Sequence, residues 1–100
     1  MEISYDTKKL KAQCEDPTLR KRNFGRIADP IESRLSELMA AERLSDIPEC
    51  PPPRRHKMSS QKSVWSLDLT RNYRMWIYGN GEEDPSKVTS VVVLRIVDDH

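Results

Sequence analysis

The spacing of apolar positions changes part-way along the chain, from helical periodicity before residue 45 to strict alternation after residue 60. Ile3 and Tyr5 alternate with polar neighbours and predict a short strand over residues 2–5. Asp6-Thr7 offers N-cap oxygens for a helix running to about Cys14, with Leu10 and Cys14 one turn apart. Two Asp-Pro steps follow, Asp16-Pro17 and Asp29-Pro30, each placing a capping carboxylate before a residue suited to the first helical position. Asp29 carries the fuller signal, because Glu32 three residues later completes a capping-box pattern. Ile31, Leu35, Leu38 and Met39 then form an apolar stripe, extended backwards by Phe24 and Ile27, so residues 20–41 are read as helical, in two pieces or bent at Pro30. Residues 45–60 hold Pro48, Pro51, Pro52 and Pro53 and support no regular element. Beyond them Trp65, Leu67 and Leu69 alternate with Ser66 and Asp68, and Tyr73, Met75 and Ile77 alternate with Arg74, Trp76 and Tyr78. Residues 70–72 make the turn between these strands, with Asn72 suited to a left-handed conformation, and residues 79–85 make a longer loop. Residues 88–97 are β-branched on both faces, the mark of a central strand covered on both sides. The predicted order is β-α-α-β-β-β, an α+β fold in a single domain over residues 1–100.

Composition narrows the class. One hundred residues make about one domain, and 33% charged against 36% hydrophobic residues leave one core face and much polar surface. Cys14 and Cys50 form no C-x-x-C pair and no disulfide framework. Residues 1–10 contain no apolar signal core, and no apolar run approaches the ~18 residues of a membrane span. A reduced, cytoplasmic protein without membrane contact is therefore expected. Net charge is only +1, but residues 51–78 carry Arg54, Arg55, Lys57, Lys62, Arg71 and Arg74 against Asp68 alone, a local net of +5. Such a stretch suits a polyanion that the neutral average conceals.

Nucleotide-binding glycine motifs, H-E-x-x-H and G-x-S-x-G are all absent, and two histidines and two cysteines far apart make a zinc site improbable. No metal and no cofactor are expected. Three groups carry chemistry. Arg54-Arg55-His56-Lys57 with Lys62 combines fixed cations with an imidazole, which suits phosphodiester handling, although a solvated basic loop has the same composition. Arg74 sits on the polar side of its strand, where a cross-strand ion pair with Asp68 is the plainer reading. Asp98-Asp99-His100 follows the strongest strand, its carboxylates favouring a protonated imidazole. Together they fit a metal-independent ribonuclease. The RNA 2′-OH attacks its own phosphate, which calls for a base, a cation for the phosphorane and an acid for the 5′-oxygen. Trp76 or Tyr78, outward on the same side as Arg74, is expected to stack on a base.

The run His56-Lys57-Met58, Val64-Trp65-Ser66-Leu67-Asp68-Leu69, Tyr73-Arg74 and the ending Val97-Asp98-Asp99-His100 resembles the HigB-like plasmid maintenance killer toxins of the RelE/ParE superfamily. The resemblance covers nearly the whole chain. It implies a RelE-like fold, two helices packed on one face of a small, mainly antiparallel sheet. It further implies an mRNA endoribonuclease that works in the ribosomal A site and is neutralised by a HigA-like helix-turn-helix antitoxin. Carried onto this chain, His56, Arg74, Asp98 and His100 are the implied catalytic residues. On chemical grounds, beside the resemblance, the two histidines are assigned as base and acid in either order, Arg74 and Lys57 as phosphate clamps, and Arg54, Arg55, Lys62, Arg71 and Trp76 as further RNA contacts. Two departures stand out: Ser59 where the family carries lysine, and Asp99 where it carries an aromatic. A negative charge beside a phosphate site weakens RNA binding, and the two departures favour one alternative, a weakly active antitoxin-binding regulator of its operon; a second, a gyrase poison, follows from the superfamily but needs no pair of histidines.

Overall fold

A computed structural model describes residues 1–99 of the chain. Strand β1 (Glu2–Tyr5) turns Ile3 and Tyr5 towards the helices and pairs in parallel with the last strand. Helix α1 (Lys8–Glu15) starts at Thr7, whose hydroxyl accepts from the Leu10 amide at 3.0 Å. Asp16 ends α1 and begins α2 (Pro17–Phe24), its carboxylate accepting from the amides of Thr18 (2.8 Å) and Leu19 (3.2 Å). Gly25, at φ +53°, stops α2 in a conformation that a side chain would resist. One 3₁₀ turn (Gly25–Ile27) then leads into α3 (Ala28–Ala40).

The region predicted as helical over residues 20–41 is thus in two pieces, and the break falls at Gly25, not at Pro30. The capping box predicted at Asp29 does not form. Helix α3 begins at Ala28, two residues before Pro30, with no side-chain cap, because the Ala28 amide is already bonded to the Gly25 carbonyl of the preceding turn. Pro30 falls within the first turn, where its missing N–H costs nothing. Glu32 instead meets the buried Arg20 at 2.9 Å, and the same guanidinium donates to the Cys14 carbonyl at 2.8 Å.

The sheet has the order β1-β5-β4-β3-β2, with β2 at His56–Lys57, β3 at Val64–Asp68, β4 at Tyr73–Tyr78 and β5 at Ser90–Asp98. Only β1–β5 is parallel; the other three pairings are antiparallel. The α+β class and the helices-on-one-face, mainly antiparallel arrangement hold, with β2 as an added two-residue edge strand. Trp65, Leu67, Met75, Ile77, Val91 and Val93 are buried against Ile31, Leu35 and Leu38 of α3. Strand β5 lies inside the sheet but is covered on one side only. Val91 and Val93 are buried, whereas Val92, on the second face, is half-buried. The loop before β5 is drawn in tightly: a Cβ at Gly79 would stand 2.8 Å from the Trp65 ring, and the Ser63 hydroxyl donates to the Glu82 carbonyl at 2.7 Å. Positive φ occurs at Asn80 and not at Asn72.

One irregularity governs everything beyond it. Ile77 of β4 faces Val93 of β5, but Trp76 faces Arg95, so Leu94 is an extra residue in a β-bulge. Since side chains alternate with period two, one inserted residue exchanges the faces of all that follow. Ile96 and Asp98 therefore fall opposite Met75 and Tyr73, on the helix side. Arg95 and Val97 fall opposite Trp76 and Arg74, on the open side. No helix among the described residues is long and apolar enough to cross a membrane.

Candidate nucleic-acid interface

Strand pairing lines up two rows of side chains on the open face. The first runs His56, Ser66, Trp76, Arg95 across β2, β3, β4 and β5. The second runs Asp68, Arg74, Val97. Neighbouring strands lie ~4.8 Å apart, so about 10 Å separates the backbones of His56 and Trp76. His56 is exposed, and its imidazole makes no hydrogen bond or ion pair with any described residue.

Asp68 organises the second row. Its carboxylate accepts from Arg54 Nε at 2.8 Å and Nη2 at 3.1 Å, and pairs with Arg74 Nε at 2.9 Å. The bond to Asp68 raises the Arg54 pKa above its ordinary value. Arg74 Nη1 also donates to the carbonyls of Thr70, Arg71 and Tyr73 at 2.9–3.1 Å. From the helix side, Arg34 Nε of α3 donates to the Asp68 carbonyl at 2.6 Å and fixes the end of β3. Asp99, whose amide bonds to the Asn72 carbonyl, brings its carboxylate to 3.8 Å from Arg74. The plainer reading of Arg74, a cross-strand partner of Asp68, is therefore met, and its charge is largely compensated within the protein.

Three further expected contacts are positioned differently from the sequence reading. Lys57 faces Trp65, on the opposite side of β2 from His56. Its ammonium lies 5.5 Å from the Trp65 ring centre, 3.2 Å from Glu83, and donates to the carbonyls of Met58 and Gln61. Bonds from the Ser63 amide and Lys57 lower the Glu83 pKa, so the carboxylate stays charged. Arg55 is mostly covered, donates to the Ile47 carbonyl at 2.9 Å and stands 3.9 Å from Glu49. Asp98 faces the helices, in a cleft shared with Asn23, Arg26, Phe24, Tyr73 and Ile96. The bulge is the cause: without it Asp98 would share the face of Arg74. Lys62 and Arg71 are exposed on loops flanking β3. His100 lies outside the described residues.

The structure thus brings together His56, Arg54, Arg74 and Trp76, and separates Lys57, Arg55 and Asp98 from them. A second cleft, between β1 and the helices, encloses the Arg20–Glu32 pair and holds none of the residues expected to act on RNA. Two features escaped the sequence reading. Arg95 joins the open face, with its guanidinium carbon 5.4 Å from the Trp76 ring centre; only the bulge reveals it. Residues 8–26 also carry seven basic against two acidic residues, again +5, and Lys8, Lys9, Lys21, Arg22 and Arg26 are exposed. A count of charge along the whole chain would have found them. Among the described residues no group of three or more His, Cys, Asp or Glu is placed to hold a metal ion. No protein-family model, curated protein or solved structure matches the chain.

Proposed function

We propose that the chain is the toxin of a type II toxin–antitoxin pair. It acts in the cytoplasm as a metal-independent endoribonuclease on mRNA in the ribosomal A site, and a helix-turn-helix antitoxin neutralises it. The observation that supports this reading best is the open sheet face, where an exposed histidine shares one surface with two arginines and a tryptophan. In the proposed reaction the 2′-oxygen attacks the adjacent phosphorus while a base takes its proton. The bond from phosphorus to the 5′-oxygen breaks, an acid protonates that oxygen, and a 2′,3′-cyclic phosphate remains. His56 supplies one proton transfer and His100 the other. Arg54 and Arg74 share one carboxylate between two guanidinium groups and so retain one positive charge for the phosphorane, which Asp99 reduces.

A second reading, a catalytically weak protein whose task is to bind the antitoxin, is favoured by one specific observation. Asp98 faces the helices, while Asp68 and Asp99 face the arginines. Induced expression followed by primer extension on cellular mRNA separates the two. The nuclease reading predicts growth arrest with new mRNA 5′ ends, and a loss of those ends on the order of 10²-fold or more in His56→Ala. Growth arrest with uncut mRNA contradicts it. Cutting by His56→Ala at the wild-type rate removes His56 from the chemistry.

A further inference from the structure

The bulge after Val93 delivers to the open face a cation unlike the others there. Arg54 and Arg74 have carboxylate partners. Arg95 is exposed, has no carboxylate partner among the described residues, and lies over the Trp76 ring at 5.4 Å. We propose that Arg95, held against Trp76, is a base-stacking residue for single-stranded RNA; the assignment rests on the reading of this face as the RNA-binding surface.

Three properties carry it. A guanidinium is planar, delocalised and weakly hydrated, so a flat partner can stack on it where an ammonium would keep its water. Unpaired bases in single-stranded RNA stack on aromatic rings and on arginine planes alike. Trp76 restrains the Arg95 side chain before RNA arrives, which reduces the entropy lost on binding. Re-aiming one side chain is a recurrent use of bulges beside functional sites. Location defines the role further. Arg95 and His56 stand at opposite ends of one row, three strand spacings or about 14 Å apart. The base on Arg95 therefore belongs to a nucleotide flanking the one at His56, and the contact selects sequence context. Larger purine rings gain more from it than pyrimidines.

Anisotropy titrations with labelled oligo(A) and oligo(U) RNA of about 10 nucleotides test the proposal. Wild type is expected to bind oligo(A) more tightly than oligo(U). Arg95→Lys keeps the charge and loses the plane; it is expected to weaken oligo(A) about tenfold, erase the preference and leave the salt slope unchanged. Trp76→Leu, which removes the support, should reproduce that loss. Arg95 is exposed, so its variants are expected to melt with the wild type. Wild-type binding by Arg95→Lys, whether or not Arg95→Ala binds more weakly, overturns the stacking role. Unchanged binding by Trp76→Leu overturns it too. Failure of the wild type to bind either RNA contradicts the RNA-face reading itself, and this inference with it.

Discussion

The two faces of one sheet obey different rules. On the helix side Trp65, Leu67, Met75, Ile77, Val91 and Val93 are buried together, and stability there is a matter of filled volume. On the open side β2, β4 and β5 present His56, Trp76, Arg74 and Arg95, and order comes from charge: one carboxylate, Asp68, holds two arginines, and one ring underlies a third. Adjacent residues on one strand therefore belong to different energetic regimes. The helix face specifies the fold. The open face buries Val64 and Ser66 but leaves His56 and Arg95 exposed to carry chemistry.

Truncating neighbours on β4 should separate the two faces most strongly. Ile77 is fully buried, so Ile77→Ala should cost about 2–5 kcal/mol of unfolding free energy in urea titrations. Tyr78, half-buried on the open side, should cost about 1 kcal/mol when changed to Ala. Equal costs would mean that the open face is packed as tightly as the core. Next in size is Asp68→Asn. Asp68 and Arg74 side chains are 18% and 13% exposed, whereas Arg54 is 41% exposed. Loss of the carboxylate should cost about 1–2 kcal/mol. Double-mutant cycles should show stronger coupling of Asp68 to Arg74 than to Arg54.

The smallest expected effect is an alkaline one on the helix side. Burial raises the Cys14 thiol from 9.0 to about 11 and the Tyr5 hydroxyl from 10.0 to about 12. Both groups are neutral when protonated, so the folded state holds their protons longer than the unfolded chain does. Their contribution is complete below pH 9 and is lost as pH rises through about 11 to 12. Cys14→Ala should flatten the decline in stability between pH 9 and 11; an unchanged slope would remove Cys14 as its source.

Much of the fold was legible because alternation and capping act locally. Trp65-Leu67-Leu69 and Met75-Ile77 declared their buried side, and Thr7 and Asp16 declared their helix starts. Asp29 misled because a cap is needed only where amides lack partners, and the turn at Gly25 had already supplied one. The candidate site was legible only as far as β4. Leu94 carries no mark of a bulge, since any residue can be the extra one, yet it moves Asp98 to one face and Arg95 to the other. The basic count over residues 51–78 was correct but said nothing of partners. Glu49, Asp68, Glu83 and Asp99 reach four of its six cations.

The central claim is that RNA meets the open face and not the helices. Amide chemical shifts of the ¹⁵N-labelled protein, recorded during titration with oligo(A) RNA, test it most directly. The largest changes are expected at His56, Ser66, Trp76 and Arg95, with the Arg54–Asp68–Arg74 group beside them. Changes concentrated instead on the exposed cations of α1 and α2, with the open face unmoved, would contradict it.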